Sequence, residues 1–121
     1  MADSLTPVSL AVDAEKINLY AEVTDDFNPL HVDPVFAATT PMGGVIAHGT
    51  MSLALIWQSL AETFGDEKTA GAEVEVRFTR PVRIGDTVTA GGKPDPETPG
   101  RYRVWVKNQD GQPVIDGWAA L

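Results

Sequence analysis

The chain has 121 residues, which suits one compact domain and is short for two. Its apolar fraction of 43% and charged fraction of 21% are those of an ordinary globular protein. A net charge of −8 argues against nucleic acid or an anionic membrane as a partner, and the lack of cysteine excludes a thiol nucleophile, a disulfide and a Cys-ligated zinc site.

The first predicted element is a helix from Ala14 to about Thr24. Asp13 stands where an N-cap is needed, and Glu15 places a negative charge in the first turn, where the helix dipole favours it. One face is defined by apolar and small residues at helical spacing, which are Ile17, Tyr20, Ala21 and Thr24.

The segment after this helix is predicted to be a structured loop, Asp25–His31. The helix cannot continue far, because Asn28 precedes Pro29 and is pushed towards an extended conformation. Asp33 is then predicted to cap a short helix over Pro34–Ala38, with proline at its first position.

A second long helix is predicted from about Gly49 to Phe64. Pro41–Gly44 breaks the chain before it, and Gly65 ends it. Apolar side chains cover nearly every side of its first half, so we expect this helix to be buried all round.

After Gly71 the hydrophobic period changes from helical to two, which indicates half-buried strands. The predicted strands are 73–79, Thr87–Ala90, Arg101–Lys107 and Pro113–Leu121, with a hairpin connection at Asn108–Gln112. Helices followed by an antiparallel meander predict a single α+β domain over residues 1–121, in which a curved sheet wraps the apolar helix.

The predicted loop carries a pattern suited to acid–base chemistry. It contains Asp26, Asn28 and His31 within six residues. A carboxylate and an imidazole on a proline-stiffened loop can reach one water molecule, take one proton and supply another, while the Asn28 amide anchors the loop. On spacing alone, the same residues also fit a turn aspartate and a surface histidine.

Gly49 has two readings as well. At the start of a buried helix, a backbone N–H without a helical partner, backed by the helix dipole, can stabilise an oxygen that gains negative charge. The simpler reading is that His48-Gly49 forms a tight turn before a helix.

Taken together, three segments closely resemble the MaoC-like hot-dog family of (R)-specific enoyl-CoA hydratases. They are Asp25–Pro34, Phe36–Thr40 and Ile46–Gly49. The Asp-x-Asn-Pro-Leu-His loop followed by a helix-opening His-Gly is the hydratase-2 motif of that family, and Arg80–Asp86 looks like a turn in its sheet. The resemblance spans nearly the whole chain and implies a hot-dog fold.

The resemblance also implies roles for individual residues. Asp26 and His31 match the catalytic pair, Asn28 matches the supporting amide, and Gly49 matches the residue whose N–H holds the thioester carbonyl. The implied reaction is the reversible hydration of 2-trans-enoyl-CoA to (R)-3-hydroxyacyl-CoA, without a cofactor or a metal. The chain departs from the family at Asp25, where other members often have Gly or Glu.

Three alternatives stay open at this point. A dehydratase acting on a 3-hydroxyacyl carrier-protein thioester would use the same residues in reverse. A thioesterase on the same fold would attack C1 and would not need this loop. An acyl-binding subunit of a heteromeric hydratase would not need an intact Asp26 and His31.

Other polar and aromatic residues receive weaker predictions. Arg77, Arg80 and Lys93 are candidates for contacts to the phosphates of CoA or a carrier, although each also fits a solvated surface charge. His48 is interpreted as a helix-start or packing residue, and His31 with Asp33 is not interpreted as a metal site. The three tryptophans, interpreted as core or interface anchors, are Trp57, Trp105 and Trp118.

Partners and location complete the prediction. Met1–Pro7 lacks the charged start and apolar run of a signal peptide, and the apolar run Met51–Trp57 is too short to span a bilayer, so we expect a soluble, cytoplasmic protein. A single sheet of this size leaves one edge uncovered, and unpaired edges favour association. We therefore expect a homodimer that binds an acyl-CoA or acyl carrier-protein thioester.

Overall fold

One antiparallel sheet and one long helix organise the protein. The computed structural model of the chain describes residues 4–121. The strands are β1 (Val8–Ala11), β2 (Glu73–Phe78), β3 (Thr87–Pro94), β4 (Arg101–Lys107) and β5 (Pro113–Ala120). The helices are α1 (Ala14–Thr24), α2 (Pro29–Val32), α3 (Pro34–Ala38), α4 (Gly49–Phe64) and α5 (Asp66–Ala70). The strand order is β1-β3-β4-β5-β2, so β1 and β2 are the two edges of an open sheet.

Alternation along the strands places the apolar side chains on the sheet face that covers α4. In β4, for example, Tyr102, Val104 and Val106 are buried. Residues of α4 complete this core, and the buried apolar ones are Met51, Leu55, Ile56 and Leu60. The predicted α+β domain with a curved sheet around a central helix is therefore confirmed.

The bounds of α1, α3 and α4 agree with the prediction, but the expectation that α4 is buried all round is wrong. Ala54, Gln58 and Glu62 are exposed, and their spacing of four residues puts them in one stripe along the helix. The reason is that a single sheet covers only one side of the helix in one chain.

Several elements differ from the sequence prediction. β1 was not predicted, because four residues are too few for alternation to be recognised. β2 pairs with β5 and not with β3, so only β3, β4 and β5 form the predicted meander. β3 continues past Ala90 to Pro94, and α5 follows directly after Gly65.

The remaining expectations concern location. The prediction about Met1–Pro7 falls partly on residues 1–3, which lie outside the described residues. No helix within residues 4–121 is both long and apolar enough to cross a membrane.

Candidate active site

The end of α1 positions Asp26. Asp25 adopts a left-handed conformation with φ 56° and ψ 32°, and its N–H donates to the carbonyl of Ala21. The N–H of Asp26 donates to the same carbonyl at 3.1 Å. This left-handed turn ends the helix and explains why glycine suits the position before the aspartate.

Asn28 and His31 are placed by α2, which the sequence analysis wrongly assigned to a loop. Asn28 is the N-cap of this short helix, and its Oδ1 accepts a hydrogen bond from the Leu30 N–H at 3.0 Å. Pro29 occupies the first helical position, where its missing N–H costs no helical bond. The extended conformation expected at Asn28 is thus compatible with a helix that begins one residue later.

The ring of His31 is oriented by a backbone carbonyl. Its Nδ1 lies 2.7 Å from the carbonyl oxygen of Ile46. A carbonyl can only accept, so Nδ1 carries the hydrogen and the neutral ring has its lone pair at Nε2. Nε2 is therefore the nitrogen of His31 that is free to accept a proton.

The start of α4 is braced from two sides. The Ala47 N–H donates to the Val82 carbonyl at 2.7 Å, and Ile46 forms a β-bridge with Arg83. The Ile46 N–H also donates to the Leu30 carbonyl of α2 at 3.3 Å. The turn that contains Arg80–Asp86 thus fixes the helix start relative to the loop that contains Asp26.

The structure brings Asp26, His31 and His48 into one cluster. One ligand-type atom from each of the three residues lies within 4.8 Å of the other two. Such a group could hold a metal ion, but one nitrogen of each ring already bonds to a backbone carbonyl, which leaves one free nitrogen per ring. The predicted proximity of Asp26 and His31 is therefore present, and His48 joins them.

A mostly apolar pocket of about 310 Å³ opens beside this cluster. His31 and Gly49 contribute to its wall, and Asp26 does not. The other lining residues are Met42, Ile46, Ala47, Ser52, the segment 78–82, Val114 and Ile115. An apolar group would leave water on entering such a pocket, which favours its binding.

Gly49 lies at the first position of α4, and no described side chain caps the helix there. Its N–H has no helical partner, as expected for a first-turn donor. A Cβ at this position would lie 2.9 Å from Cε1 of Phe78, so the Phe78 ring packs directly over the glycine. Glycine at this position thus allows the close approach of the Phe78 ring and is not needed for backbone conformation, since its φ is not in the left-handed region.

Sequence reasoning missed two residues of this pocket, Phe78 and Ser52. Phe78 was predicted only as part of the strand 73–79. It is 56% exposed, lines the pocket and packs over Gly49. Ser52 is buried, and its hydroxyl makes no hydrogen bond with any described residue. Among the described residues, Nδ1 of His48 is the only side-chain polar atom that is both sealed from solvent and without a hydrogen-bond partner. The Ser52 hydroxyl is therefore not sealed, and it is open to the pocket that Ser52 lines. The spacing of Ser52, one helical turn after Gly49, is the sequence signal that could have identified it as a pocket residue.

The three basic residues predicted to contact phosphate lie in different places. Arg80 lines the pocket. Arg77 alternates with the inward Val76, lies on the opposite face of the sheet and forms an ion pair with Asp116 at 3.5 Å. Lys93 is exposed on β3 next to the buried Gly92, so it also points away from α4. The structure therefore brings only Arg80 to the site.

The amino-acid sequence is similar to one protein family and to hydratases and dehydratases. A family model described as a MaoC-like domain matches residues 2–104. An (R)-specific enoyl-CoA hydratase from Aeromonas caviae is 36% identical over 64% of this chain and 58% of its own length. A 3-hydroxyacyl-thioester dehydratase Z from Mycobacterium tuberculosis is 37% identical over 67% of this chain and 56% of its own length. The chain thus spans little more than half of these relatives.

Solved structures agree with the sequence matches. R-hydratase PhaJ1 from Pseudomonas aeruginosa, in its unliganded form, has a TM-score of 0.78 and 33% identity over 94% of this chain and 76% of that one. The Aeromonas caviae (R)-hydratase structure has a TM-score of 0.78 and 29% identity over 94% of this chain and 89% of that one. The sheet, the central helix and the family model together show that the chain belongs to the MaoC-like domain family and has its hot-dog fold.

Proposed function

We propose that the protein catalyses the reversible hydration of a 2-trans-enoyl-CoA to the (R)-3-hydroxyacyl-CoA. The observation that carries this proposal is the meeting of an aspartate and a histidine, Asp26 and His31, beside an apolar pocket that begins at a helix N-terminus. The names of the related hydratases and dehydratases support it.

Asp26 and His31 act on one water molecule as a unit. Nε2 of His31 carries the lone pair, and the carboxylate of Asp26 lies close enough to share the water. The pair removes a proton from the water as its oxygen adds to C3, and it returns a proton to C2 on the same face of the double bond. Such proton transfer by positioned side chains is general acid–base catalysis.

Gly49 supplies the donor for the thioester oxygen, which gains negative charge as C3 is attacked. Its N–H lies at the positive end of the α4 dipole, and the mostly apolar pocket strengthens the interaction. The Ser52 hydroxyl, which makes no hydrogen bond with residues 4–121, is available to the same bound acyl thioester. No metal and no cofactor are needed for these steps.

Binding of the carrier and assembly belong to the same proposal. Arg80 at the pocket is the contact for a CoA or carrier phosphate, since Arg77 and Lys93 point away. The active protein is a homodimer joined along the free edge of β2. Exposed apolar side chains on α3 and in the pocket wall support association with a partner, and they are Val35, Phe36, Met42 and Phe78.

The second candidate is the reverse reaction on a 3-hydroxyacyl thioester, including one held by a carrier protein. The Mycobacterium tuberculosis relative is named a 3-hydroxyacyl-thioester dehydratase, and the same residues would serve both directions. Comparing CoA and carrier-protein thioesters in both directions distinguishes the two candidates.

The experiment that tests the proposal compares substitutions at two neighbouring carboxylates, Asp26 and Asp25. Asp26→Asn and His31→Ala should each lower kcat for hydration by about 10²–10⁴, the usual range for a lost acid–base group. Asp25→Asn is the matched control and should be nearly silent, since both aspartates are exposed but Asp25 lies outside the cluster. The double variant should be little worse than either single variant, because the two residues act together. Multiplying losses would contradict the shared-water model.

A further inference from the structure

His48 has no role in the mechanism above, yet it contacts each part of the site. It is 2% exposed, so its ring is enclosed by the protein. We propose that His48 is a positioning residue that holds Asp26, His31 and the start of α4 in their working arrangement. This inference rests on the proposed function, because it assigns the orientation of the same catalytic pair.

The first contact fixes the main chain of Asp26. Nε2 of His48 lies 2.9 Å from the backbone carbonyl oxygen of Asp26. Since that oxygen can only accept, Nε2 carries the hydrogen and donates it. The bond uses the backbone oxygen of Asp26. In its carboxylate, Oδ1 accepts the Asn28 N–H at 3.3 Å, and Oδ2 makes no hydrogen bond with a described residue and is available for the water.

The second contact orients the ring of His31. The two imidazole rings stack with their centroids 4.1 Å apart and an interplanar angle of 28°. His31 is also held at Nδ1 by the Ile46 carbonyl, so stacking removes the remaining freedom to rotate about that bond. The direction of Nε2 of His31 is therefore set from two sides.

The third contact is the main chain of His48 itself. Its carbonyl accepts the Met51 N–H at 3.1 Å, which makes it the N-cap of α4 directly before Gly49. The ring of Tyr20 closes the other side of His48 with a centroid distance of 4.9 Å, and its hydroxyl donates to Oγ1 of Thr50 at 2.7 Å. Any shift of His48 would thus move the proposed oxyanion donor.

The second ring nitrogen of His48, Nδ1, argues that His48 does more than fill space. Nδ1 of His48 is sealed from solvent and has no hydrogen-bond partner among the described residues. A sealed polar atom without a partner lowers stability, and a phenylalanine ring would fill the same space without it. A histidine here is explained by the donor at Nε2 combined with an aromatic face.

Two substitutions separate these contributions. His48→Phe keeps an aromatic face for His31 and removes the donor to Asp26. His48→Gln keeps a donor near the position of Nε2 and removes the ring. We expect each to lower kcat by ~10–10², because small displacements of catalytic groups are costly, while KM changes by less than about threefold.

The dependence on His31 distinguishes positioning from a general structural role. In a His31→Ala background, His48→Gln should cause little further loss of kcat, because the ring that it orients is absent, while it should still lower thermal stability through the lost ring contact with Tyr20. Equal fold losses of kcat in both backgrounds would overturn the proposal. So would folded His48→Phe and His48→Gln variants that both retain kcat within about twofold of the wild-type protein.

A spectroscopic measurement makes the test independent of turnover. The chain has only two histidines, so nitrogen NMR of protein labelled at histidine gives one set of signals per ring. We expect the wild type to show opposite tautomers, with the hydrogen on Nδ1 of His31 and on Nε2 of His48. His48→Gln should leave the hydrogen on Nδ1 of His31, which the Ile46 carbonyl holds, but should increase the mobility of the His31 ring, measured by relaxation of its ring nuclei. An unchanged mobility of the His31 ring would refute the orienting role even if the protein proved to have no hydratase activity.

Discussion

Removing the N–H of Gly49 without removing anything else is the most informative perturbation of the site. Gly49→Pro deletes this donor, and proline is compatible with the first position of a helix. The residue before it also permits the change, because His48 has φ −60° and ψ 132°, an extended conformation that precedes proline comfortably. Gly49→Ala is the matched control, since alanine keeps the N–H and has the same Cβ.

The alanine control introduces a steric clash of its own, because a Cβ at position 49 meets the ring of Phe78. The Cβ of either substitution would lie 2.9 Å from Cε1 of Phe78 and 3.1 Å from its Cδ1, so the ring must move. Phe78 is 56% exposed, and its ring end is free to swing outwards. Both Gly49 variants should therefore also be made together with Phe78→Leu, which removes the ring common to both clashes.

With the Phe78 ring removed, the two variants differ by the N–H and by the ring atoms of proline, so a KM that stays within about threefold is needed for the loss of kcat to report the donor. We expect Gly49→Pro to lower kcat by ~10²–10³, the cost of one oxyanion donor, which corresponds to about 2.7–4 kcal/mol. Gly49→Ala with Phe78→Leu should stay within about threefold of Phe78→Leu. Initial rates of enoyl-CoA hydration and circular dichroism of each variant give the answer. If the folded proline and alanine variants are equally impaired, Gly49 provides room only and another donor holds the carbonyl.

Three further predictions concern the loop, the edge strand and the metal requirement. Asp25→Val should lower the free energy of unfolding by about 1–2 kcal/mol, because a β-branched residue resists the left-handed conformation at φ 56°, whereas Asp25→Gly should not lower it. Light scattering at micromolar concentration should give twice the mass of the chain, and a fully active monomer would contradict assembly along β2. Activity should survive exhaustive treatment with EDTA, and a loss that is restored by zinc would instead assign the Asp26, His31 and His48 cluster to a metal.

Local signals predicted the elements that carry the chemistry. Asp13 and Asp33 act as the predicted N-caps, and each accepts hydrogen bonds from the first turn of its helix. The apolar run and Gly65 defined α4 correctly. These features depend on neighbours within about four residues, so the sequence contains the information directly.

Features that depend on distant residues could not be predicted in this way. β1 exists because Val8 pairs with Ala90, a partner more than 80 residues along the chain. The Phe78 ring lies over Gly49 only because β2 ends beside the start of α4. The sealed Nδ1 of His48 likewise arises from the packing of Tyr20 and His31 around it, which no spacing in the sequence reveals.

The product of the reaction tests the central claim most directly. Purified protein should be incubated with crotonyl-CoA and with longer 2-trans-enoyl-CoA thioesters, and the 3-hydroxyacyl product should be resolved by chiral chromatography. A water held by Asp26 and His31 on one face of the substrate predicts a single enantiomer, and the similarity to (R)-specific hydratases assigns it as the (R)-3-hydroxyacyl-CoA. It should form as the absorbance of the conjugated thioester disappears, and its formation should be lost in the Asp26→Asn variant. An exclusively (S) product, or release of free CoA without hydration, would contradict the account.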